Sequence, residues 1–176
     1  MARSARTPGT KRRARREASP RIGILMGSAT DWEVMRHAAD TLTGFGIPWE
    51  AKALSAHRNA ELLAEYARTA QARGLSAIIA GAGMAAALPG VIAALTPLPV
   101  LGVPCGGSAF GGFDALLSIV QMPSGVPVAT FAVGRAGAVN AAIFAAAMLA
   151  LGDPKVAQAL ARVRAEQWER VAELPV

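Results

Sequence analysis

A single cysteine, Cys105, denies the chain any internal disulfide and fits a reducing compartment, so a cytoplasmic protein is expected. Only two histidines are present, His37 and His57, and no Cys/His cluster has metal-ligand spacing, so no metal is expected. A P-loop, a GxGxxG after the first strand and a GxSxG elbow are all missing, which removes ATP hydrolysis, dinucleotide redox chemistry and serine hydrolysis. The longest apolar stretch, residues 136–151, is alanine-rich and broken by Asn140, so it reads as a buried or interface helix and no membrane partner is expected. The first twenty residues lack the apolar core of a secretory signal. Beyond them the chain lacks net charge: seven cationic side chains against Glu17 in residues 1–20 account for the whole formal charge of +6.

That arginine-rich stretch is expected to be a disordered, solvated tail that attracts polyanions without specificity, so no specific nucleic-acid partner is implied. The remainder, about residues 21–173, is 153 positions of a 176-residue chain that is 53% hydrophobic, enough for one well-buried domain.

Apolar strands alternate with helical patterns through this domain. Ile22–Met26 is a strand ending in Gly27-Ser28; Thr30 and Glu33 suggest a capping box for a helix over 31–45. A second strand, 49–54, leads to Ser55-Ala56-His57-Arg58 and a helix capped by Asn59 and ending near Gly74. A third strand, 76–80, opens into Gly81-Ala82-Gly83, and residues 91–95 continue helically. A fourth strand at 100–103, a helix at 114–120, a fifth strand at 128–133 and an alanine-rich helix at 138–151 follow. Asp153 and Pro154 then start a C-terminal helix to about Glu173. This order predicts an α/β fold: a three-layer, flavodoxin-like doubly wound parallel sheet. The alanine-rich helix suits either an intrasubunit core or a homo-oligomer interface.

Ligands of such sheets bind beyond the carboxyl ends of the strands. The first loop offers backbone N–H groups to an anion at a helix start, and the Ser-Ala-His-Arg turn brings an imidazole and a guanidinium to the same edge. Each residue retains two readings. His57 carries a proton or merely caps; Arg58 pairs with phosphate or with a surface carboxylate. Asp31 takes sugar hydroxyls or steadies a helix end, and Ser28 and Ser55 bind phosphate or close turns. His37, mid-helix, reads as a surface or interface residue. The residues alone reach a proton-transfer enzyme acting on a sugar-phosphate-like ligand.

Residues 26–32 (MGSATDW), 55–58 (SAHR), 78–83 (IIAGAG), 88–90 (LPG), 99–104 (PVLGVP), 118–123 (SIVQMP) and 134–142 (GRAGAVNAA) resemble the PurE family of purine biosynthesis, in one uninterrupted order over about residues 22–165. The resemblance implies a flavodoxin-like, octameric enzyme without metal or cofactor. Its bacterial class interconverts N5-carboxyaminoimidazole ribonucleotide and 4-carboxy-5-aminoimidazole ribonucleotide. It implies a ribonucleotide substrate and a functional link to the ATP-dependent carboxyaminoimidazole ribonucleotide synthase. His57 is implied as the proton shuttle, and Ser28, Asp31, Ser55 and Arg58 as the residues that hold the ribose phosphate. The Gly81-Ala82-Gly83 loop is implied at the base and carboxylate, with Gly27, Ala56 and Leu88 as further substrate-binding residues. Two departures stand out: Met84 replaces a glycine and Ala87 a histidine of the usual GAGGAAHLPG, and Cys105-Gly106-Gly107 lacks the polar residue and hydroxyl usual after Val-Pro. Direct carboxylation of aminoimidazole ribonucleotide, and a non-catalytic nucleotide-binding or assembly relative, are the alternatives.

Overall fold

In a computed structural model, which describes residues 19–169, five parallel strands form one sheet in the order β2-β1-β3-β4-β5. The strands are β1 (Ile22–Met26), β2 (Trp49–Ala53), β3 (Ala77–Ala82), β4 (Val100–Pro104) and β5 (Ala129–Thr130). The helices are α1 (Trp32–Gly44), α2 (Ala60–Thr69), α3 (Leu88–Ala93), α4 (Phe113–Val120), α5 (Arg135–Ala150) and α6 (Pro154–Trp168). This strand order is the flavodoxin-like one, with its reversal between β1 and β3. The expected basic tail lies, through residue 18, outside the described residues.

β1 is apolar throughout because it is covered on both faces. Ile22, Ile24 and Met26 pack with α1, α5 and α6; Leu25, on the opposite face, packs with side chains of α2, α3 and α4. The alanines of α5 are spent inside the chain. Ala138, Ala141, Ala142, Ala145 and Ala146 are fully buried in the first of these cores, so that helix is intrasubunit core along its small face. Gly137 is required there, since a Cβ would collide with the backbone carbonyl of Ala132. Arg21 ties the start of β1 to the N-cap of α6 through Asp153 at 2.6 Å, and Asp153 also accepts N–H bonds from Lys155 and Val156, as its position before Pro154 predicts.

Several boundaries differ from the sequence reading, each for a local reason. The expected Thr30/Glu33 box is instead a Ser28/Asp31 box. Ser28 Oγ accepts from Thr30 N and Asp31 Oδ2 from Ser28 N, which inserts a 3-10 turn, Ala29–Asp31, before α1. Asn59 stands at the α2 N-cap without a capping bond; its Oδ1 instead accepts Ser55 N–H at 3.4 Å. α2 closes at Thr69, short of Gly74. β3 continues through Gly81 and Ala82 because they pair with Val103 and Pro104 of β4. α3 begins at Leu88, ahead of the expected residue 91. β5 has two residues where six were expected: Phe131 N–H still bonds the Gly102 carbonyl at 2.9 Å, and its ring packs edge-on against Phe144 of α5, but the ladder ends there. α5 starts three residues early, after Gly134, and α6 closes at Trp168, the stretch beyond Glu169 lying outside the described residues.

Behind the second core, Tyr66 on α2 donates to Glu50 Oε1 at 2.6 Å, and Arg73 pairs with the same oxygen at 2.6 Å. Burial pushes the Glu50 carboxyl up, but these two donors and the Arg73 charge outweigh it and hold the group below its ordinary value. The tyrosine ring reaches Glu50 only because β1 carries Gly23: a Cβ there would meet Tyr66 Oη, and Leu75 Cδ2 at 2.7 Å. Gly23→Ala is therefore expected to destabilise the fold by about 1–3 kcal/mol through overpacking, read as a lowered midpoint in chemical denaturation.

Candidate active site

The carboxyl ends of β1, β2, β3 and β4 open into one cleft of about 1010 Å³. It is lined by Gly27, Ser28 and Asp31 after β1, by Ser55, Ala56, His57 and Arg58 after β2, and by Ala82, Gly83 and Leu88 around the β3 end. All but one of the residues named from sequence thus meet at a single place. The exception is Gly81, which is strand: it pairs with Met26 and Val103, and the space of its missing side chain is taken by Met35 of α1. The glycine there serves packing under the cleft rather than contact within it.

Ser55 organises the histidine turn. Its Oγ accepts the backbone N–H groups of His57 and Arg58, each at 3.3 Å, so a short side chain holds the chain in a tight bend and leaves the imidazole exposed in the cleft. Arg58 then reaches back across the cleft edge and donates from Nη2 to the Gly27 carbonyl at 3.0 Å, joining the first two loops. On the first loop, Asp31 Oδ2 accepts Ser28 N–H at 3.0 Å. Partial burial pushes the Asp31 carboxyl up, and the backbone bonds from Ser28 and Gly27 recover part of that shift. Above its raised pKa the ionised carboxylate therefore carries a net desolvation cost in the folded chain.

The third wall carries the first of the two departures. Met84 and Ala86 both have positive φ, 55° and 40°, and Ala86 N–H closes the bend on the Gly83 carbonyl at 3.0 Å. Met84 therefore adopts the left-handed conformation that suits the usual glycine, at a cost of about 1–2 kcal/mol, and its side chain stands 69% exposed at the cleft. The backbone path survives the substitution. Ala87, half-buried, still lines the cleft where the histidine would be.

Residues that the sequence reading did not assign to the site also line it: Thr30, read only as a helix cap, Glu33 and Val34 of α1, and Gly134. Cys105, Gly106 and Gly107 lie there too, as the end of the strand next to β3. Strand order was the signal for that last group, since adjacent parallel strands end at one edge. Cys105 itself is buried; burial pushes its thiol up to about 12, with the Asp31 charge adding to the shift, so it is a neutral wall at neutral pH. His37, half-buried on α1, is not among the lining residues. No group of three or more His, Cys, Asp or Glu is placed to hold a metal among the described residues, and no described helix is long and apolar enough to cross a membrane.

With this geometry in place, the comparisons with known proteins can be set beside it. A family model described as AIR carboxylase matches residues 21–170. An N5-carboxyaminoimidazole ribonucleotide mutase of Brucella melitensis is 57% identical over 88% of this chain and 95% of its own length, and one of Pseudomonas aeruginosa is 55% identical over 88% and 94%. A bifunctional purine synthesis protein purC/E of Dictyostelium discoideum is 56% identical over 89% of this chain, which spans only 16% of that relative. The crystal structure of Treponema denticola PurE superposes with a TM-score of 0.77 at 28% identity, over 86% of this chain and 93% of that one. A family match over most of the chain, relatives above half identity and a solved PurE with the same fold lead to one conclusion: the chain belongs to the AIR carboxylase, or PurE, family.

Proposed function

We propose that this protein is an N5-carboxyaminoimidazole ribonucleotide mutase of purine biosynthesis. The observation that carries the reading is His57, the only histidine lining the cleft, held there by a turn that Ser55 builds and beside the first-loop anion frame. Relatives bearing the mutase name at 51–57% identity support it. The substrate's phosphate would sit at Ser28, Ser55 and Arg58, its ribose against Asp31, and its base and carboxylate along Ala82, Gly83 and Leu88.

The chemistry needs one proton moved and no cofactor. Decarboxylation at N5 releases carbon dioxide into the cleft as His57 gives a proton to the departing nitrogen; ring carbon C4 then attacks the carbon dioxide, and the neutral imidazole takes the C4 proton. Carboxylate and proton exchange places, so atoms and charge balance. Retention of the carbon dioxide depends on the apolar third wall, Met84 to Ala87. The reading includes a cytoplasmic location and a homo-octamer. With the α5 alanines spent internally, the support for assembly is the exposed row Phe113, Leu117 and Val120 on α4. A link to the ATP-dependent carboxyaminoimidazole ribonucleotide synthase belongs to the same proposal, and a relative that joins this domain to a second purine-synthesis activity supports such coupling.

Direct carboxylation of aminoimidazole ribonucleotide is the second reading, favoured by the description of the family model. Supplying N5-carboxyaminoimidazole ribonucleotide in one assay, and aminoimidazole ribonucleotide with bicarbonate in the other, is expected to give the higher kcat/KM with the former. His57→Asn is expected to abolish that turnover while nucleotide binding persists, because the amide keeps shape and polarity but does not titrate. Preference for bicarbonate would favour the carboxylase, and an active asparagine variant would remove the proton carrier.

Asp31→Asn separates stability from binding. An ionised carboxylate with a raised folded pKa destabilises the native state above that pKa, and protonation lifts the penalty as pH falls towards the unfolded value of 3.8. The asparagine variant is thus expected to melt higher than the parent at pH 7, with the gain shrinking towards pH 4, and to bind ribonucleotide more weakly; equal melting at both pH values would contradict this.

Because Met84 keeps the glycine-like backbone, Ala87→His is expected to place an imidazole in the cleft and raise kcat/KM for the N-carboxylated substrate. Unchanged kinetics in a folded variant would mean that the position no longer meets the carboxylate.

A further inference from the structure

Two serine hydroxyls in the cleft are bonded in a way that fixes what they can recognise. A hydroxyl oxygen offers two lone pairs and one hydrogen. Ser55 Oγ, in a residue only 7% exposed, already accepts two backbone N–H groups, from His57 and Arg58, so its remaining capacity is donation. Ser28 Oγ, on the neighbouring loop, is bonded by Thr30 N at 3.3 Å and by Thr30 Oγ1 at 2.8 Å. Thr30 Oγ1 makes no other protein hydrogen bond among the described residues, so its hydrogen is free to point at Ser28. Between two hydroxyls either proton can occupy the shared bond. Once an acceptor takes the Ser28 hydrogen, Thr30 must supply its own to Ser28, and the chain from Thr30 through Ser28 to the ligand is polarised in one sense.

The surrounding groups do not compete for these hydrogens. Asp31 Oδ2 takes the Ser28 backbone N–H rather than its hydroxyl, and the Arg58 guanidinium is bonded to the Gly27 carbonyl, which braces the two loops carrying the serines. We propose that Thr30 is a positioning residue that commits Ser28 to donate, as the turn backbone commits Ser55, so that this end of the cleft accepts an acceptor-only anion, the phosphate of a sugar phosphate. The inference rests on reading the cleft as a ribonucleotide site, yet it requires only that the site hold a sugar phosphate.

Ribose 5-phosphate and ribose are therefore suitable probes, with binding followed by calorimetry on the full chain. The parent is expected to bind ribose 5-phosphate and to take ribose far more weakly. Thr30→Ala and Thr30→Val should lose about fivefold or more in affinity for the phosphate ester, whereas Thr30→Ser, which keeps the oxygen, should stay within about twofold. In turnover, Thr30→Ala should raise KM and leave kcat within about twofold, the pattern of lost uniform binding. A role confined to the fold of the loop would instead lower the melting temperature and weaken both sugars together. That outcome would overturn the proposal. So would unchanged affinity in Thr30→Ala, failure of Thr30→Ser to rescue, or a parent that does not bind ribose 5-phosphate. A parent that binds it in a Thr30-dependent way but does not turn over N5-carboxyaminoimidazole ribonucleotide would keep this inference and remove the mutase.

Discussion

Parallel pairing of β1 with both β2 and β3 is the constraint from which the site follows. Met26 lies opposite Ala53 on one side and Gly81 on the other, so the chain leaves three adjacent strands at almost the same height. In a parallel sheet every loop at that edge starts from a carboxyl end, and the reversal of strand order between β1 and β3 sends the connecting helices to opposite faces. A gap opens between those loops because no helix can cover it. Arg58, Ser55 and Asp31 then act on the rim of that gap by joining or stiffening loops whose positions the ladder has already set.

Much of this was legible before any coordinates. Apolar strands such as β1, β3 and β4, with glycine or a Ser-Ala-His-Arg turn following the strand ends, announce a covered parallel sheet with a cleft at one edge, and His57, Arg58, Asp31 and both serines line that cleft. What sequence could not show was which polar atoms were free. Ser28, Thr30 and Asp31 are all good cap residues, and only the geometry reveals that the box is Ser28 with Asp31, leaving Thr30 to bond a hydroxyl. Gly81 misled for a related reason. A glycine at a strand end reads as a ligand approach, whereas here the strand continues through Gly81 to Ala82 and the vacancy is filled from below by Met35. The alanines of α5 were ambiguous in principle, since a small flat face serves a core and an interface equally well.

Family membership and the individual cleft carry different information. The first gives relatives that carry the mutase name; the second has one imidazole, a methionine in a left-handed bend, and Cys105 with two glycines after the fourth strand. The resemblance to the family breaks at Met84 and Ala87, and the positive φ of Met84 gives that bend the backbone conformation a glycine adopts.

Cys105 gives that wall a clock. It is the chain's one thiol, 1% exposed, behind a loop in which the added Cβ of Gly83 would come within 3.3 Å of the Cys105 carbonyl. An alkylating reagent meets neither an accessible sulfur nor a thiolate in the folded chain at neutral pH. Alkylation of the native protein therefore requires a local opening that exposes the sulfur, and its rate reports that opening rather than the reactivity of a surface thiol.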